Sequence, residues 1–459
     1  MPEHATSRTA AAADAPTLNE RMAAYIHEAS FEDFAPDVVQ KAKEVVLYHL
    51  CLALRGRRDN DLIGAQAIAA ARRLSPLGGP ATIIGTPYKA MSIDAAFANC
   101  TQMRAYGLDD VIFPAGIHAG LVTIPVALAL AEERGASGRD VLSAIIVAYE
   151  VMGKLGLFTW ASSAPRRPTM AYGTFGSVIA AGRVLGLSRE QFAHAIAYAA
   201  HGAQGLGESD LGPVTHYYSL VCRAGLTGAV LTHEGGIGSR TVMEGRFGFL
   251  DTFVGNRPFD HDAFIASLGH DDLQIMGSVE KRYPGTGLNI IAIETAREIV
   301  AAERLRPEQV RQVRIFIPEE RRNFTAGHSS GPFTSEISTP SSVAYQVGMI
   351  LLDGQLDFRR YAQFSDPRLL AIIAKVKPIL TPGKTNIRWT RIEFELTDGR
   401  TIVREAEQYT FPPIRPIDRL AAAAEGFLSR EQAARLFDHI MELDRERSVA
   451  ALMMCLVHG

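Results

Sequence analysis

The sequence is short of cysteine and has no closely spaced pair. Cys51, Cys100, Cys222 and Cys455 form no CxxC in 459 residues, which excludes a zinc knuckle or an all-cysteine iron–sulfur site at ordinary spacing. As small apolar residues inside helical patterns they fit a reducing compartment, so a cytoplasmic protein is expected. A basic excess is also missing: the formal net charge of −3 argues against nucleic acid or an anionic membrane surface as partner. Apolar runs stay short. The uncharged stretch from Gly120 to Ala131 is about half a membrane span and carries Pro125, so no membrane crossing is expected. Residues Met1 to Pro16 have no hydrophobic region of the signal-peptide kind and read as a flexible tail. The glycine clusters Gly173–Gly176 and Gly235–Gly238 match neither GxGxxG nor a P-loop, and no strand precedes them, which argues against a nucleotide cofactor.

What is present is helix. Hydrophobic content of 47% and charged content of 21% are ordinary for a globular chain, and the length suggests two or three domains. Val39, Ala42, Val46, Leu50 and Ala53 fall at helical spacing over residues 38 to 54, with Asp37 as cap. Ser92 opens a second helix that delivers Arg104 in its last turn. Residues Leu121 to Glu133, apolar on all sides, read as a buried helix ended by Gly135. Capping boxes at Ser137–Asp140, Ser188–Gln191 and Ser429–Gln432 each start another helix. Near residue 270 the character changes. Val313, Ile315 and Ile317 alternate with polar or outward residues, and Ile392, Phe394 and Leu396 run through Asp398-Gly399 into Thr401-Ile402-Val403, a hairpin signal. The expectation is a mainly α protein. A large helical domain is formed by residues 17–265 and 416–459, and a smaller α+β domain by residues 266–415.

Polar residues suited to chemistry gather in four places. Arg104, Asp109, Asp110 and His118 share a glycine-containing loop between two apolar helices. Arg167 precedes a helix start, where guanidinium and free backbone N–H groups favour a carboxylate. Lys281, Arg282, Tyr283 and Thr286 combine cations, a phenol and a hydroxyl around a flexible turn, a set suited to gripping a carboxylate and supplying a proton. His216 and Tyr217 stand just before the helix of Arg223.

In order and spacing these pieces resemble the MmgE/PrpD family, which includes 2-methylcitrate dehydratases, cis-aconitate decarboxylases and iminodisuccinate epimerases. The resemblance covers about residues 17 to 450. It is carried by Leu108-Asp109-Asp110 with His118, by Ala127 to Glu132, by Gly173-Thr174-Phe175-Gly176 with Leu185 to Ser188, by Lys281-Arg282-Tyr283-Pro284 and by Leu351-Leu352-Asp353-Gly354. It implies a discontinuous helical domain, an α+β domain, an active site between them, a homodimer, and no metal or other cofactor. The chain departs from the family pattern at Gly107, Val111, Ala119, Arg167 and Val214. The expected activity is a lyase or isomerase acting on a small di- or tricarboxylate by proton transfer beside a carboxylate. His118 would be the base, with Lys281, Arg167 and Arg104 holding the carboxylate, Asp109 and Asp110 lining the substrate site, Asp110 orienting His118 or another donor rather than acting directly, and Tyr217, His216 or Tyr283 returning a proton. Arginine in place of a histidine at 167 inclines the expectation toward epimerisation. Dehydration or decarboxylation is the alternative, and a non-catalytic carboxylate-binding relative is the rival of another class.

Overall fold

The computed structural model describes residues 15–59, 62–104, 107–113, 115–159, 167–207, 215–255, 257–270, 272–322, 324–334, 338–357, 360–409 and 414–458. Most of the tail expected before residue 17 therefore lies outside the described residues, as do Tyr106, Pro114, Arg166 and Val214. The chain is mainly α. Its first part contains α1 (Leu18–Glu28), α2 (Pro36–Arg58), α3 (Leu62–Leu74), α4 (Ser92–Met103), α5 (Ala119–Arg134), α6 (Gly138–Phe158), α7 (Pro168–Leu185), α8 (Arg189–His201), α9 (Thr215–His233) and α10 (His261–Ser267). Three two-residue strands interrupt it: β1 (Ala81–Thr82), β2 (Lys89–Ala90) and β3 (Val111–Ile112). They were invisible to alternation because each is too short to show a period.

The capping boxes form as expected at Ser137, Ser188 and Ser429, and a further one closes on Thr17 and Glu20. Two helix starts differ from the sequence reading. Pro36 occupies the first turn of α2, so Ala35 rather than Asp37 is the cap, and a proline there loses no hydrogen bond. Met91 caps α4, and Arg104 is its C-cap residue rather than a residue of its last turn. Helix α6 is long and apolar enough to cross a membrane, but 89% of its apolar window is buried within the protein. It is a core helix.

One apolar core joins α1 through α10 to the chain's end, where α15 (Pro416–Ala424), α16 (Arg430–Met441) and α17 (Ala450–Met454) contribute Leu420, Leu436 and Leu452. The last turn is tied back by Gly85 N donating to the Leu456 carbonyl at 2.8 Å. This core continues past residue 265, through Leu268 and Ile275.

A second core belongs to an α+β part built on α11 (Ile290–Glu303), α12 (Thr325–His328), α13 (Val343–Asp353) and α14 (Pro367–Ile373). Its sheet has the order β6-β5-β7-β8, with β5 (Val310–Pro318), β6 (Val376–Thr381), β7 (Thr390–Leu396) and β8 (Thr401–Ala406). β7 and β8 form the hairpin expected at Asp398-Gly399, and β5 lies antiparallel to β7. β6 runs parallel to β5. It escaped the sequence reading because Pro378 breaks its pattern, and as an edge strand it tolerates a proline. One further strand, β4 (Ser278–Val279), pairs antiparallel with β3 and so carries the entry to the α+β part past the polar loop of the helical part.

Candidate active site

Helix α4 ends at Arg104, and Gly107, at φ +67, turns the chain with its N–H donating to the Arg104 carbonyl at 2.8 Å. The next residues enter β3, which pairs with β4 on one side. The chain then folds back so that Ile112 N donates to the Ile117 carbonyl at 2.8 Å. That return places His118 at the start of α5, its N–H donating to Thr169 Oγ1 of α7 at 2.9 Å. Its Nδ1 lies 2.6 Å from the Asp110 carbonyl and 2.6 Å from Asp109 Oδ2. A carbonyl only accepts, so Nδ1 carries the proton in the neutral ring and Nε2 keeps its lone pair.

Asp109 is the centre of charge. Its Oδ1 is paired with Arg104 Nη1 and lies 3.8 Å from Lys281 Nζ. Lys281 also donates to the Gly107 carbonyl at 2.8 Å. Burial alone would raise the Asp109 pKa, but Arg104, then His118 and Lys281, hold it well below the usual carboxylate range. Burial brings Lys281 down to about 8, against the pull of Asp109. Burial likewise lowers His118; Asp109 opposes it and Lys281 adds to it, so the imidazole rests neutral near pH 7. This site is a neutral base beside two cations that share one carboxylate.

Tyr48 fixes the geometry of this group. Its hydroxyl sits against the Leu108 carbonyl and 3.0 Å from the Lys281 carbonyl, and accepts from the Lys281 N–H at 3.1 Å. Arg419 of α15 covers the Tyr48 ring at 4.7 Å and pairs with Glu280. The lysine therefore hangs from a segment clamped to α2 and to the C-terminal helices. Gly285 completes the approach. At φ +90, a Cβ there would stand 1.8 Å from the Pro340 carbonyl oxygen, and Gly107 packs against its backbone. Gly285→Ala is expected to melt a few degrees below Gly426→Ala, which shares the left-handed backbone (φ +74) but has nothing within 4 Å of an added Cβ, because only at 285 does the added carbon force a shift costing roughly 1–3 kcal/mol. Differential scanning fluorimetry against a surface Gly→Ala control such as Gly426→Ala checks it; equal melting of the two would refute the close approach.

Several sequence expectations change here. Asp109 and Asp110 are both fully buried and meet the protein rather than a substrate. Asp110 Oδ2 accepts from Tyr149 at 2.9 Å and Ser278 at 2.5 Å, while Oδ1 faces His49 Nε2 at 3.2 Å and accepts from Gly120 N at 3.2 Å. Burial works against the charged form of His49, but the Asp110 carboxylate prevails and raises its pKa. Gly120 is required here, because a Cβ would meet His49 Cε1 at 2.2 Å. Asp110 orients His118 through its carbonyl, and its carboxylate ties the loop to α2 and α6. Arg104 is committed to Asp109 and lies over the Tyr218 ring at 4.8 Å.

His216 turns to the Ile63 carbonyl at 3.2 Å and Tyr217 is 39% exposed. Tyr218 instead faces His118, ring centroids 6.2 Å apart. The helical spacing of Tyr218, Val221, Cys222, Leu226 and Ala229 on the buried face of α9 was the signal for it. Tyr283 is hydrogen-bonded to Glu294, and burial followed by that bond raises its pKa, which makes it a poor acid. Thr286 caps the turn Gly287–Asn289 by accepting from Leu288 N at 3.2 Å. Arg282 is half-buried beside these residues. Arg167, at the N-cap of α7, lies 5.6 Å from the Phe324 ring. Burial, with Arg104 adding to it, lowers its pKa against Tyr218.

Among the described residues no three His, Cys, Asp or Glu side chains form a metal-holding group. A cavity of about 310 Å³, lined by Ile112, Phe113, Leu157, Leu273 and Met276 among others, adjoins the site's loop without including His118.

Comparison with known proteins adds three findings. Residues 20–262 match the family model of the MmgE/PrpD N-terminal domain. The chain is 24% identical to a cis-aconitate decarboxylase of Aspergillus terreus over an alignment of 472 positions, gaps included, that covers 93% of each chain. It is 26% identical to the human cis-aconitate decarboxylase over 413 residues, 86% of this chain and 83% of that one.

Proposed function

Because the chain belongs to the MmgE/PrpD family, we propose that it is a cofactor-independent lyase that removes carbon dioxide from a small unsaturated tricarboxylate of the cis-aconitate kind. The observation that carries this reading is His118: Nδ1 is held by the Asp110 carbonyl beside Asp109, and Lys281 and Arg104 stand within the same buried cluster. In such a reaction a C–C bond to a carboxylate breaks, and its electron pair shifts through the adjacent double bond. A proton must then reach the far carbon of that double bond. Lys281 stabilises the charge that builds toward the remaining carboxylates. The substrate's own negative charge raises the pKa of the nearby imidazole, so the ring that rests neutral becomes a proton donor when the site fills. Transfer is from Nε2.

The decarboxylase relatives favour this reading over the epimerisation inferred from Arg167. One observation keeps proton abstraction as a second reading: His118 rests neutral, as a base does. Incubation with cis-aconitate and other di- and tricarboxylates in deuterated water, followed by NMR, separates them. Decarboxylation gives a new terminal methylene signal, carbon dioxide and one deuteron in the product. Epimerisation gives exchange alpha to a carboxylate without loss of carbon. No change with any acid of the panel would sink both.

The pH profile follows from Lys281. Its ammonium is charged below about 8 and neutral above, so kcat/KM, which already falls through neutrality because His118 rests neutral in the free enzyme, is expected to steepen by roughly a further tenfold per pH unit on the alkaline side, the Lys281 limb. Rate measurements from pH 6 to 9.5 check this. The limb should be absent from the residual activity of Lys281→Met; its survival there would assign it to another group.

A further inference from the structure

The α+β part holds a cation that no described residue neutralises. Arg321 ends the turn Glu319–Arg321 that follows β5, and only 3% of it is exposed. Its Nε donates to the Ile387 carbonyl at 2.7 Å. Nη1 and Nη2 are buried and have no hydrogen-bond partner among the described residues. Glu319, at the start of the same turn, is paired with Arg322. Burial alone governs the group and brings its pKa to about 9. A buried guanidinium with a single carbonyl partner is a costly arrangement in a folded protein, and the cost falls when an anion completes it.

Its place in the fold says where that anion comes from. Phe324, three residues on, packs under Arg167 at the start of α7, with 5.6 Å between guanidinium and ring. Arg388, next to the Ile387 that holds Arg321, lies over the ring of Phe113, with 5.2 Å between them. Phe113 follows β3 directly. Both segments around Arg321 thus touch the helical part where Arg167 and the loop of His118 are. Arg321 also sits beyond the carboxyl ends of the parallel pair β5 and β6, the end of such strands where ligands are commonly held.

We propose that Arg321 is a carboxylate-binding residue contributed by the α+β part at this seam, and that its ligand is a carboxylate of the substrate remote from the bond that breaks. The identity of the ligand rests on the carboxylate-lyase reading above. Arg321 then sets specificity by demanding a carboxylate at the end of the substrate farthest from His118.

The test uses the full chain and tricarballylate, a saturated tricarboxylate with no double bond to react. Thermal shift and calorimetry are run on the parent, Arg321→Met and Arg321→Lys. The parent should be stabilised saturably. Arg321→Met should melt no lower than the parent without ligand, since it loses a buried charge, and should bind tricarballylate at least about tenfold more weakly. Arg321→Lys, which keeps the charge without the fork, should fall between them. With substrate, KM should rise in Arg321→Met while kcat stays within a few-fold. Unchanged affinity in both variants would overturn the proposal and leave Arg321 as a peg on Ile387. Because tricarballylate needs no turnover, Arg321-dependent binding without any decarboxylation would refute the proposed reaction and leave this site standing.

Discussion

His118→Asn is expected to fold like the parent and to lower kcat/KM for the decarboxylated acid by about 10²–10⁴, the usual contribution of a positioned acid–base group. Asparagine is chosen for its geometry. Its amide nitrogen falls near the place of Nδ1, so it can still donate to the Asp110 carbonyl, which His118 reaches at 2.6 Å. The main-chain bond from residue 118 to Thr169 is untouched. What disappears is Nε2, the atom given the proton transfer. His118→Gln is the converse, since its amide nitrogen mimics Nε2 and abandons Asp110. It should lose activity as well, and up to about 1.5 kcal/mol of stability for the hydrogen bond it forgoes. Chemical denaturation and steady-state rates on both variants separate the roles. An Asn variant with a tenth or more of parental activity would remove His118 from the chemistry.

The parts of this molecule that could be read from sequence are those whose physics is local. Capping boxes close within four residues, and Ser137, Ser188 and Ser429 each make theirs. The β7–β8 hairpin is written in Asp398-Gly399, with Gly399 at φ +89. His118 and Lys281 were singled out by the resemblance to the family, and nothing in the sequence says what brings them together. That is done by β3 and β4 and by Tyr48, whose hydroxyl touches segments 60 and 233 residues away. The Asp110 cluster is of the same kind, joining His49, Tyr149 and Ser278 from three separate elements. Adjacent acids therefore looked like a substrate-lining pair when both are buried. For Tyr218 the failure lay in the reading: residue 217 was chosen by its neighbours in sequence, whereas the helical period of α9 buries residue 218. Gly107 shows how a departure from a family pattern can be read too simply. Its left-handed backbone favours glycine over any residue with a Cβ, and its carbonyl accepts from the Lys281 ammonium.

Asp109→Asn should change stability and pH dependence together, and more than any other single substitution in the cluster. The carboxylate is fully buried against Arg104, His118 and Lys281. Removing its charge leaves two buried cations with no carboxylate between them, a change that typically costs about 3–5 kcal/mol. The cost depends on pH with a definite sign. Asp109 has a folded-state pKa held well below its ordinary value, so its contribution is complete above the unfolded carboxylate pKa of about 3.9 and is lost as the pH falls through the lower folded value. Parent and variant should accordingly differ most near neutrality and converge in strong acid, as urea denaturation at a series of pH values would record. The same substitution removes the larger of the two carboxylate charges, Asp109 and Asp110, that hold the Lys281 pKa up against burial. Its value then drops below about 8, and the alkaline limb of kcat/KM moves toward neutral pH. His118, also supported by Asp109, becomes harder to protonate, so the proton-delivering form is rarer even when substrate is bound. A melting temperature and an alkaline limb that both match the parent would show that Arg104 and Lys281 are neutralised by something other than Asp109, and the charge balance proposed for this site would be wrong.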